Sequence, residues 1–425
     1  MNSIPNRIYK KILPAVNFYK LKYFTVIIHY PFLNILSMKL LRNNLKTFVT
    51  IAAFSLIPTL LVWLPFFLRL DSVWGIPLPK EGMATVVANY DGPLYIVVSK
   101  SLYATEIINN FSFSLPAIYY AAHFPMFPLL IKPLAFLFGS PYSMLIVTTA
   151  SSILALFFFY KLALLYLKKN DALWLTFVFS IFPARWLVVR SVGSPEPLFL
   201  AAIIASIYFF KKQKYLFSGI WGAVAVLTKS PGMLLFAAYF AIIIHTLLNK
   251  LTLNKIETLL KPKRFFKFTP LLLIPFGLFL LFCFYQRQYN DFFAYFHSGD
   301  NIHLFFPPFQ IFNYSQPWVG TFWLEEIIFI YVLSVAGLLQ LIKRKETVLA
   351  WFTGIFLFTI FFVSHRDIVR YALPTIPFLL ISYSPYLIKK EFKYIILIIL
   401  VPIYLFSIAY ISQNVTPVSN WAPFL

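Results

Sequence analysis

Residues 143–167 read SMLIVTTASSILALFFFYKLALLYL, with Lys161 as the one charged side chain, and Lys168-Lys169 follow directly. As a helix, a run of this length crosses a hydrocarbon core about 30 Å thick. Lipid offers no hydrogen-bond partners to the backbone, so a spanning segment must be helical or part of a closed barrel. The run is continuously apolar rather than alternating, and it therefore indicates a transmembrane helix.

Similar runs recur along the chain and predict an all-α polytopic membrane protein with about eleven spans. The composition agrees, because 60% of the residues are hydrophobic and only 12% are charged, whereas soluble proteins carry about 25% charged residues. Residues 1–46 are predicted to form a basic cytoplasmic or interfacial segment, residues 47–425 the membrane domain, and residues 69–141 its first external loop. The predicted spans are 47–68, 143–167, 172–189, 197–210, 215–227, 233–248, 268–285, 323–342, 349–363, 371–388 and 394–412.

The charge pattern predicts the orientation. The net charge is +22, but the Lys and Arg residues are scattered between hydrophobic runs, which indicates contact with membrane lipid and argues against nucleic-acid binding. Every second loop is Lys-rich, and the positive-inside rule places these loops and the N-terminus in the cytoplasm. The single cysteine, Cys283, excludes an internal disulfide and a Cys-based metal site. Abundant Lys, Asn, Ile and Phe favour a prokaryotic plasma membrane, with the endoplasmic reticulum membrane as the alternative.

Acidic residues gather on the opposite, external side. Acidic side chains have little effect on membrane insertion, so this clustering is not explained by topology and indicates an external active site. The external acids are Asp71, Glu81, Asp91, Glu106, Glu196, Asp291, Asp300, Glu325, Glu326 and Asp367.

The stretch Asn89–Tyr95, NYDGPLY, is the most informative part of the first external loop. Pro favours the first helical turn, so a helix is expected to start at Gly92-Pro93, with Tyr95 one turn after Asp91. Asp91 then has two possible roles: it caps this helix, or it takes part in chemistry.

Several external segments together resemble the GPI mannosyltransferase II (PIG-V-like) family of the GT-C glycosyltransferases. Asp91 is followed by an aromatic residue four positions on. A Phe-Pro-Met-Phe-Pro segment, similar to the family's Phe-Pro-aromatic-Pro, opens a helix near His123, and a Ser-Glu turn joins two spans. Tyr90 stands where the family has Trp, and Pro195 interrupts the Ser-Glu pair. The matching segments are 89–95, 123–130 (HFPMFPLL), 191–196 (SVGSPE), 228–232 (TKSPG), 289–303 and 365–371 (HRDIVRY).

This resemblance implies a GT-C-like fold and a polyprenyl- or dolichyl-phosphate sugar, with mannose as the expected sugar, used on the external face with inversion. An acceptor hydroxyl on a lipid, glycan or protein would attack the anomeric carbon, and a carboxylate base, predicted to be Asp91, would accept its proton. Cations would stabilise the leaving phosphate. A divalent metal is not favoured, because no ligand pair has tight metal-binding spacing. The predicted substrate-binding residues are Tyr90, Tyr95, His123, Arg185, Arg190, Glu196, Lys229, Asp291, His297, Arg366 and Arg370.

Two other functions stay open on sequence grounds. A lipid or glycan transporter or flippase would place ionisable residues inside spans near the bilayer midplane, whereas the acids here cluster in external loops. A polymerase or ligase of surface polysaccharide would use the same kind of lipid-linked substrate with a different acceptor.

Overall fold

The computed structural model describes residues 44–252, 266–299, 303–316, 319 and 323–425. The chain divides into two units, 1–50 and 51–425, and the packing described below lies within the second unit. The predicted interfacial segment falls almost entirely on residues 1–43, outside the described residues.

The described residues are almost entirely helical, with one short hairpin, β1 (Ser72–Val73) and β2 (Ile76–Pro77). This confirms the all-α class. The helices are α1 (Asn44–Phe67), α2 (Met83–Val87), α3 (Gly92–Ser101), α4 (Thr105–Ile108), α5 (Met126–Phe138), α6 (Ser140–Ala163), α7 (Lys169–Ile181), α8 (Ala184–Arg190), α9 (Glu196–Lys211), α10 (Tyr215–Thr228), α11 (Met233–Thr252), α12 (Leu273–Tyr289), α13 (Ala294–His297), α14 (Leu324–Lys343), α15 (Thr347–Ile360), α16 (Ile368–Ala372), α17 (Ile376–Leu387) and α18 (Lys390–Gln413).

Among the described residues, six helices are long and apolar enough to cross a membrane: α1, α6, α11, α12, α14 and α18. The pair α7 and α8 raises this number to seven if it counts as one span bent by 74°. The bend falls at Phe182-Pro183, where Pro cannot continue a helix.

The count of eleven spans is therefore not confirmed, although each predicted span overlaps a helix. The helices α10 and α15 have 14 residues each, and such a helix is about 21 Å long. That length is short of a hydrocarbon core of about 30 Å.

The most deeply buried helix is α9, which packs between α6 and α10. Ala201, Ala202 and Ala205 are fully buried along it, and such small side chains let helices approach closely in a membrane protein. Close approach also occurs between α10 and the turn before α12, because a Cβ on Gly219 would lie 2.0 Å from the Pro270 carbonyl oxygen.

The first external loop folds into short helices over an aromatic core. Tyr103, Tyr120, Phe124 and Phe127 are all buried there, and α3 begins at Gly92 as predicted. A Cβ on Gly92 would lie 3.0 Å from the carbonyl oxygen of Gly193. Glycine at this position therefore lets the Asp91 loop pack directly on the turn between α8 and α9.

The loops meet in two groups, as the alternation of the charge pattern predicts. At one end Arg370 lies within 4.0 Å of both Asp91 and Glu196, which belong to three predicted external segments. Elsewhere, Glu346 accepts a hydrogen bond from Lys211, and both residues belong to predicted cytoplasmic loops. Which end faces the cytoplasm stays a prediction of the charge rule.

Candidate functional site

Asp91 stands directly before α3, at the helix N-cap position. Its side chain makes no capping hydrogen bond, so the structural role that the sequence left open for it is not used. The carboxylate is 43% exposed, and its one ion pair with a described residue is to Arg370 Nη1 at 4.0 Å. Asp91 is thus an accessible carboxylate at the edge of a charged cluster.

The backbone before Asp91 is held in an unusual conformation. Tyr90 has φ of +51°, a left-handed conformation that costs a bulky L-residue of order 1–3 kcal/mol and concentrates at functional sites. The segment after α18 fixes this geometry, because Thr416 Oγ1 donates to the Tyr90 carbonyl oxygen and Asn89 Nδ2 donates to the Ile411 carbonyl oxygen at 2.7 Å.

Arg370, in α16, is the centre of the cluster. Its guanidinium lies 3.1 Å from Asp367, 3.8 Å from Glu196 and 4.0 Å from Asp91. The same group lies over the Tyr90 ring, 4.5 Å from the ring centroid. One cation therefore touches three carboxylates from three separate parts of the chain.

Glu196, at the first position of α9, is a buried carboxylate that is fully paired. Lys229 Nζ donates to its Oε1 at 2.6 Å, and Ser194 Oγ donates to its Oε2. Burial raises the pKa of Glu196, but Lys229, Arg370 and these hydrogen bonds outweigh burial and lower the pKa to about 2. Glu196 is therefore anionic at neutral pH, and its charge holds Lys229 and Arg370 in place.

Asp367 plays the corresponding role for Arg185. Arg185 Nη1 lies 2.8 Å from Asp367 Oδ1 and donates to the Tyr90 hydroxyl at 3.1 Å. Burial raises the pKa of Asp367, although Arg370 and Arg185 act in the opposite direction. Arg185 also lies 3.7 Å from the Tyr410 ring centroid, so α8, α16 and α18 converge on the Asp91 loop.

Arg366 lies beside this cluster with an exposed side chain. No described residue forms an ion pair with it, in contrast to Arg185 and Arg370. The neighbouring His365 accepts a hydrogen bond at Nδ1 from the Asp367 backbone N–H at 2.9 Å, and its ring lies 4.8 Å from that of His303. Arg366 is thus a cation with its hydrogen-bonding capacity available to an external anion.

Six of the residues singled out from the sequence form one cluster, and five lie apart from it. Tyr90, Asp91, Arg185, Glu196, Lys229 and Arg370 are linked by the contacts above, and Arg366 adjoins them through Asp367. Tyr95 and His123 are buried against each other, with ring centroids 4.9 Å apart. His297 Nδ1 lies 2.6 Å from Asp291 Oδ2 in an exposed pair at α13.

Arg190, one of the predicted substrate-binding residues, lies apart from the cluster. It is fully buried and donates to the Ser180 carbonyl oxygen at 2.8 Å and to the Ser55 carbonyl oxygen at 2.9 Å. The bend between α7 and α8 turns this side chain into the helix bundle, toward α1.

Asp367 is the principal site residue that the sequence reasoning missed as a binding residue. It was recognised as an external acid but not as the anchor of Arg185 and Arg370. Its position three residues before Arg370 at a helix start was a usable signal, because residues at this spacing lie on one helix face. Thr416 and Asn414, which contact the Asp91 loop, had no comparable signal.

The residues that the structure describes contain no group of three or more His, Cys, Asp or Glu side chains arranged to hold a metal ion. Whether the protein requires a divalent metal stays a prediction of the sequence.

No protein-family model matches the chain, and no curated protein matches it. The resemblance to the PIG-V-like family therefore stays a prediction. Among solved structures, the chain is similar to the archaeal oligosaccharyltransferase AglB from Archaeoglobus fulgidus, in complex with an inhibitory peptide and a dolichol-phosphate. The TM-score is 0.49 with 12% sequence identity, covering 89% of this chain and 56% of that chain. The chain thus spans little more than half the length of AglB, and similarity at this level assigns neither a family nor an activity.

Proposed function

We propose that this protein is a membrane glycosyltransferase of the GT-C type. In this proposal it transfers a sugar, with mannose the first candidate, from a polyprenyl- or dolichyl-phosphate carrier to an acceptor hydroxyl on the extracytoplasmic face. A single observation supports it best: Asp91 is an accessible carboxylate without a capping role, held at the edge of a cluster of cations.

The carboxylates of Glu196, Asp367 and Asp91 differ in burial, and their proposed roles differ accordingly. Glu196 and Asp367 are 4% and 6% exposed and are paired with cations at 3.1 Å or less. Asp91 is 43% exposed, and its ion-pair distance is 4.0 Å. A general base must reach the substrate hydroxyl and must be free to accept its proton, and Asp91 alone of the three meets both conditions.

The proposed reaction is an inverting displacement at the anomeric carbon. The acceptor oxygen attacks C1 of the sugar, the bond between C1 and the phosphate oxygen breaks with its electron pair passing to the phosphate, and the hydroxyl proton moves to Asp91. General-base catalysis contributes about 10²–10⁴-fold in rate. Negative charge grows on the leaving phosphate, which cations stabilise.

The cations of the cluster exceed its buried carboxylates. Arg185, Lys229 and Arg370 surround Glu196 and Asp367, which leaves one positive charge facing Asp91. We assign this charge, on Arg370, and the exposed Arg366 to the lipid phosphate, because guanidinium groups match phosphate oxygens in a bidentate manner.

The remaining predicted residues receive other proposed roles. Tyr90, whose neutral phenol is favoured because burial raises its pKa, positions the two guanidinium groups. Tyr95 and His123 support the loop by packing, Arg190 joins α8 to α1, and a sugar-binding role for Asp291 and His297 stays a separate proposal. No metal is assigned a role, and turnover is expected to persist in EDTA.

The test uses purified protein in nanodiscs with radiolabelled mannosyl polyprenyl phosphate as donor, and it measures release or transfer of the sugar. Asp91→Asn should lower the rate at least a hundredfold, consistent with the loss of a general base. Asp71→Asn is the matched control, because Asp71 is also an exposed acid of the first external loop. Gel filtration verifies folding.

The outcomes separate the parts of the proposal. Turnover by the wild type that Asp91→Asn leaves unchanged would retain the enzyme class and reject Asp91 as base. Absence of turnover with this donor, together with flipping of the same lipid, would favour the transporter.

A further inference from the structure

A cavity of about 330 Å³ adjoins the backbone that leads to the Asp91 loop. It lies between α2 and the segment that follows α18. Its size is at the lower end of the ~300–1,000 Å³ that small-molecule sites occupy. The side chains that give it chemical character are Glu81, Thr85, Ser419 and Trp421.

The cavity shares its wall with the backbone that leads to Asp91. The Thr416 backbone N–H donates to the Ala88 carbonyl oxygen at 2.7 Å, and Asn89 pairs with Val415 in an antiparallel bridge. Ala88, Val415 and Thr416 also line the cavity. A molecule bound there would therefore lie against the peptide segment that positions the proposed base.

The wall formed by residues 415–421 is anchored at its far side. Lys100 Nζ donates to the Pro423 carbonyl oxygen at 2.8 Å. Phe424 is fully buried, with its ring 5.0 Å from that of Phe111. The cavity is thus a built feature of the fold between two fixed segments.

The lining suits a neutral, hydroxyl-rich molecule. Thr85 is only 1% exposed and its hydroxyl oxygen is buried, so the polar groups that a bound molecule can reach come from other lining residues. Glu81 and Ser419 are exposed groups that can bond to ligand hydroxyls, and the Trp421 ring offers an apolar face. A polar ring of this kind around an aromatic face matches the alternating polar and apolar faces of a sugar.

The same lining is unsuited to the donor. None of the ten described residues that line the cavity is Lys or Arg, so a lipid phosphate would find no counter-charge there. The cluster around Arg370 and Arg366 offers that counter-charge. The two regions therefore differ in charge: the cluster is rich in cations, whereas the cavity is lined by one carboxylate, Glu81, and by no cation.

From this division we propose that the cavity lined by Glu81, Thr85 and Trp421 is the acceptor subsite and binds a carbohydrate. This inference rests on the proposed glycosyltransferase function. It narrows the acceptor from any lipid, glycan or protein hydroxyl to a sugar hydroxyl, held against the backbone segment that leads to Asp91.

The test is saturation-transfer difference NMR on the full chain in phospholipid nanodiscs, with mannose, glucose, galactose and N-acetylglucosamine as probes. The wild type should transfer saturation to at least one sugar. Trp421→Ala and Glu81→Gln should each reduce that signal at least fivefold, because both side chains are accessible in the lining. Trp74→Ala is the control, since Trp74 is 82% exposed and does not line the cavity.

Glu81→Gln keeps the side-chain shape, so it tests the site even if loss of Trp421 disturbs folding. The inference is overturned if no probe sugar receives saturation. It is equally overturned if both variants bind as the wild type does, or if Trp74→Ala weakens binding to the same extent.

A parallel assay distinguishes failure of this inference from failure of the proposed function. Hydrolysis of the mannosyl polyprenyl phosphate donor by water needs no acceptor, so the wild type should hydrolyse it without added sugar, and Asp91→Asn should abolish this hydrolysis. Sugar binding without donor hydrolysis would reject the proposed function. Donor hydrolysis without Trp421-dependent sugar binding would reject the acceptor subsite.

Discussion

The ion pair between Lys229 and Glu196 offers the sharpest test of how the cluster is held together. Lys229 Nζ lies 2.6 Å from Glu196 Oε1, and the Glu196 side chain is almost fully buried. Lys229→Met removes the charge and keeps a flexible apolar side chain of similar length. Glu196→Gln removes the opposite charge and keeps the side-chain shape.

The expected size of the effect follows from the pKa of Glu196. The folded protein lowers this pKa from 4.5 to about 2, and each pKa unit corresponds to about 1.4 kcal/mol. The net preference for the ionised carboxylate is therefore on the order of 3 kcal/mol. Arg370 and Ser194 remain in the Lys229→Met variant, so we expect this variant to lose about 2–3 kcal/mol, with about 2 kcal/mol of coupling to Glu196.

The coupling energy is measured with a double-mutant cycle. Reversible unfolding of the wild type, the two single variants and the double variant is followed by circular dichroism as the SDS fraction in mixed micelles rises. The pair Lys211–Glu346 serves as control, because both its side chains are partly exposed and such pairs contribute about 1 kcal/mol or less. A coupling energy for Lys229–Glu196 below about 0.5 kcal/mol would refute the desolvated pairing described here.

Three further expectations follow from single groups. The folded pKa of Glu196 lies below its unfolded value of about 4.5, so the ionised carboxylate stabilises the fold above that pH and this contribution is lost as the pH falls toward 2. The difference in unfolding free energy between wild type and Glu196→Gln should therefore be constant from pH 6 to 8. A slope in that range would contradict the low pKa of Glu196. Arg366→Gln should lower kcat/KM for the donor about tenfold or more, because Arg366 is proposed to bind the phosphate on which negative charge grows, and a hydrogen bond to a charged group contributes about 1.5–3 kcal/mol. An equal loss in Arg287→Gln, also exposed, would contradict a special role for Arg366. Gly219→Ala should destabilise the bundle by about 1–3 kcal/mol, because the added Cβ would lie 2.0 Å from a backbone oxygen. Gly277→Ala is the control, since its Cβ would have no atom nearer than 3.7 Å, and it should match the wild type in the same SDS unfolding assay.

Hydropathy predicted the helices well because burial in lipid requires continuous apolar runs. It predicted less well which helices cross the bilayer. The helices α10 and α15 are largely apolar, but with 14 residues each they are too short to span it. Whether a short apolar helix faces lipid or protein depends on its neighbours. The sequence of one helix does not contain that information.

The candidate site was likewise predictable only where it depends on local sequence. The Gly92-Pro93 helix start was predictable from local backbone preferences, and it placed Asp91 correctly at the N-cap position. The pairing of Arg185 with Asp367 depends on how α8 and α16 pack, so no local pattern indicates it. Arg190 was misplaced for the same reason, because a bend at Pro183 decides which way its side chain points.

The hydrogen bond from Thr416 to Tyr90 joins residues 326 positions apart in sequence. During synthesis, the Asp91 loop leaves the ribosome long before residue 416 is made. The strained backbone at Tyr90 therefore has no partner until almost all of this chain has been inserted. Assembly of the charged cluster would then be a late step in maturation, and chains cut short by premature stop codons would enter the membrane with a loop that lacks its final support.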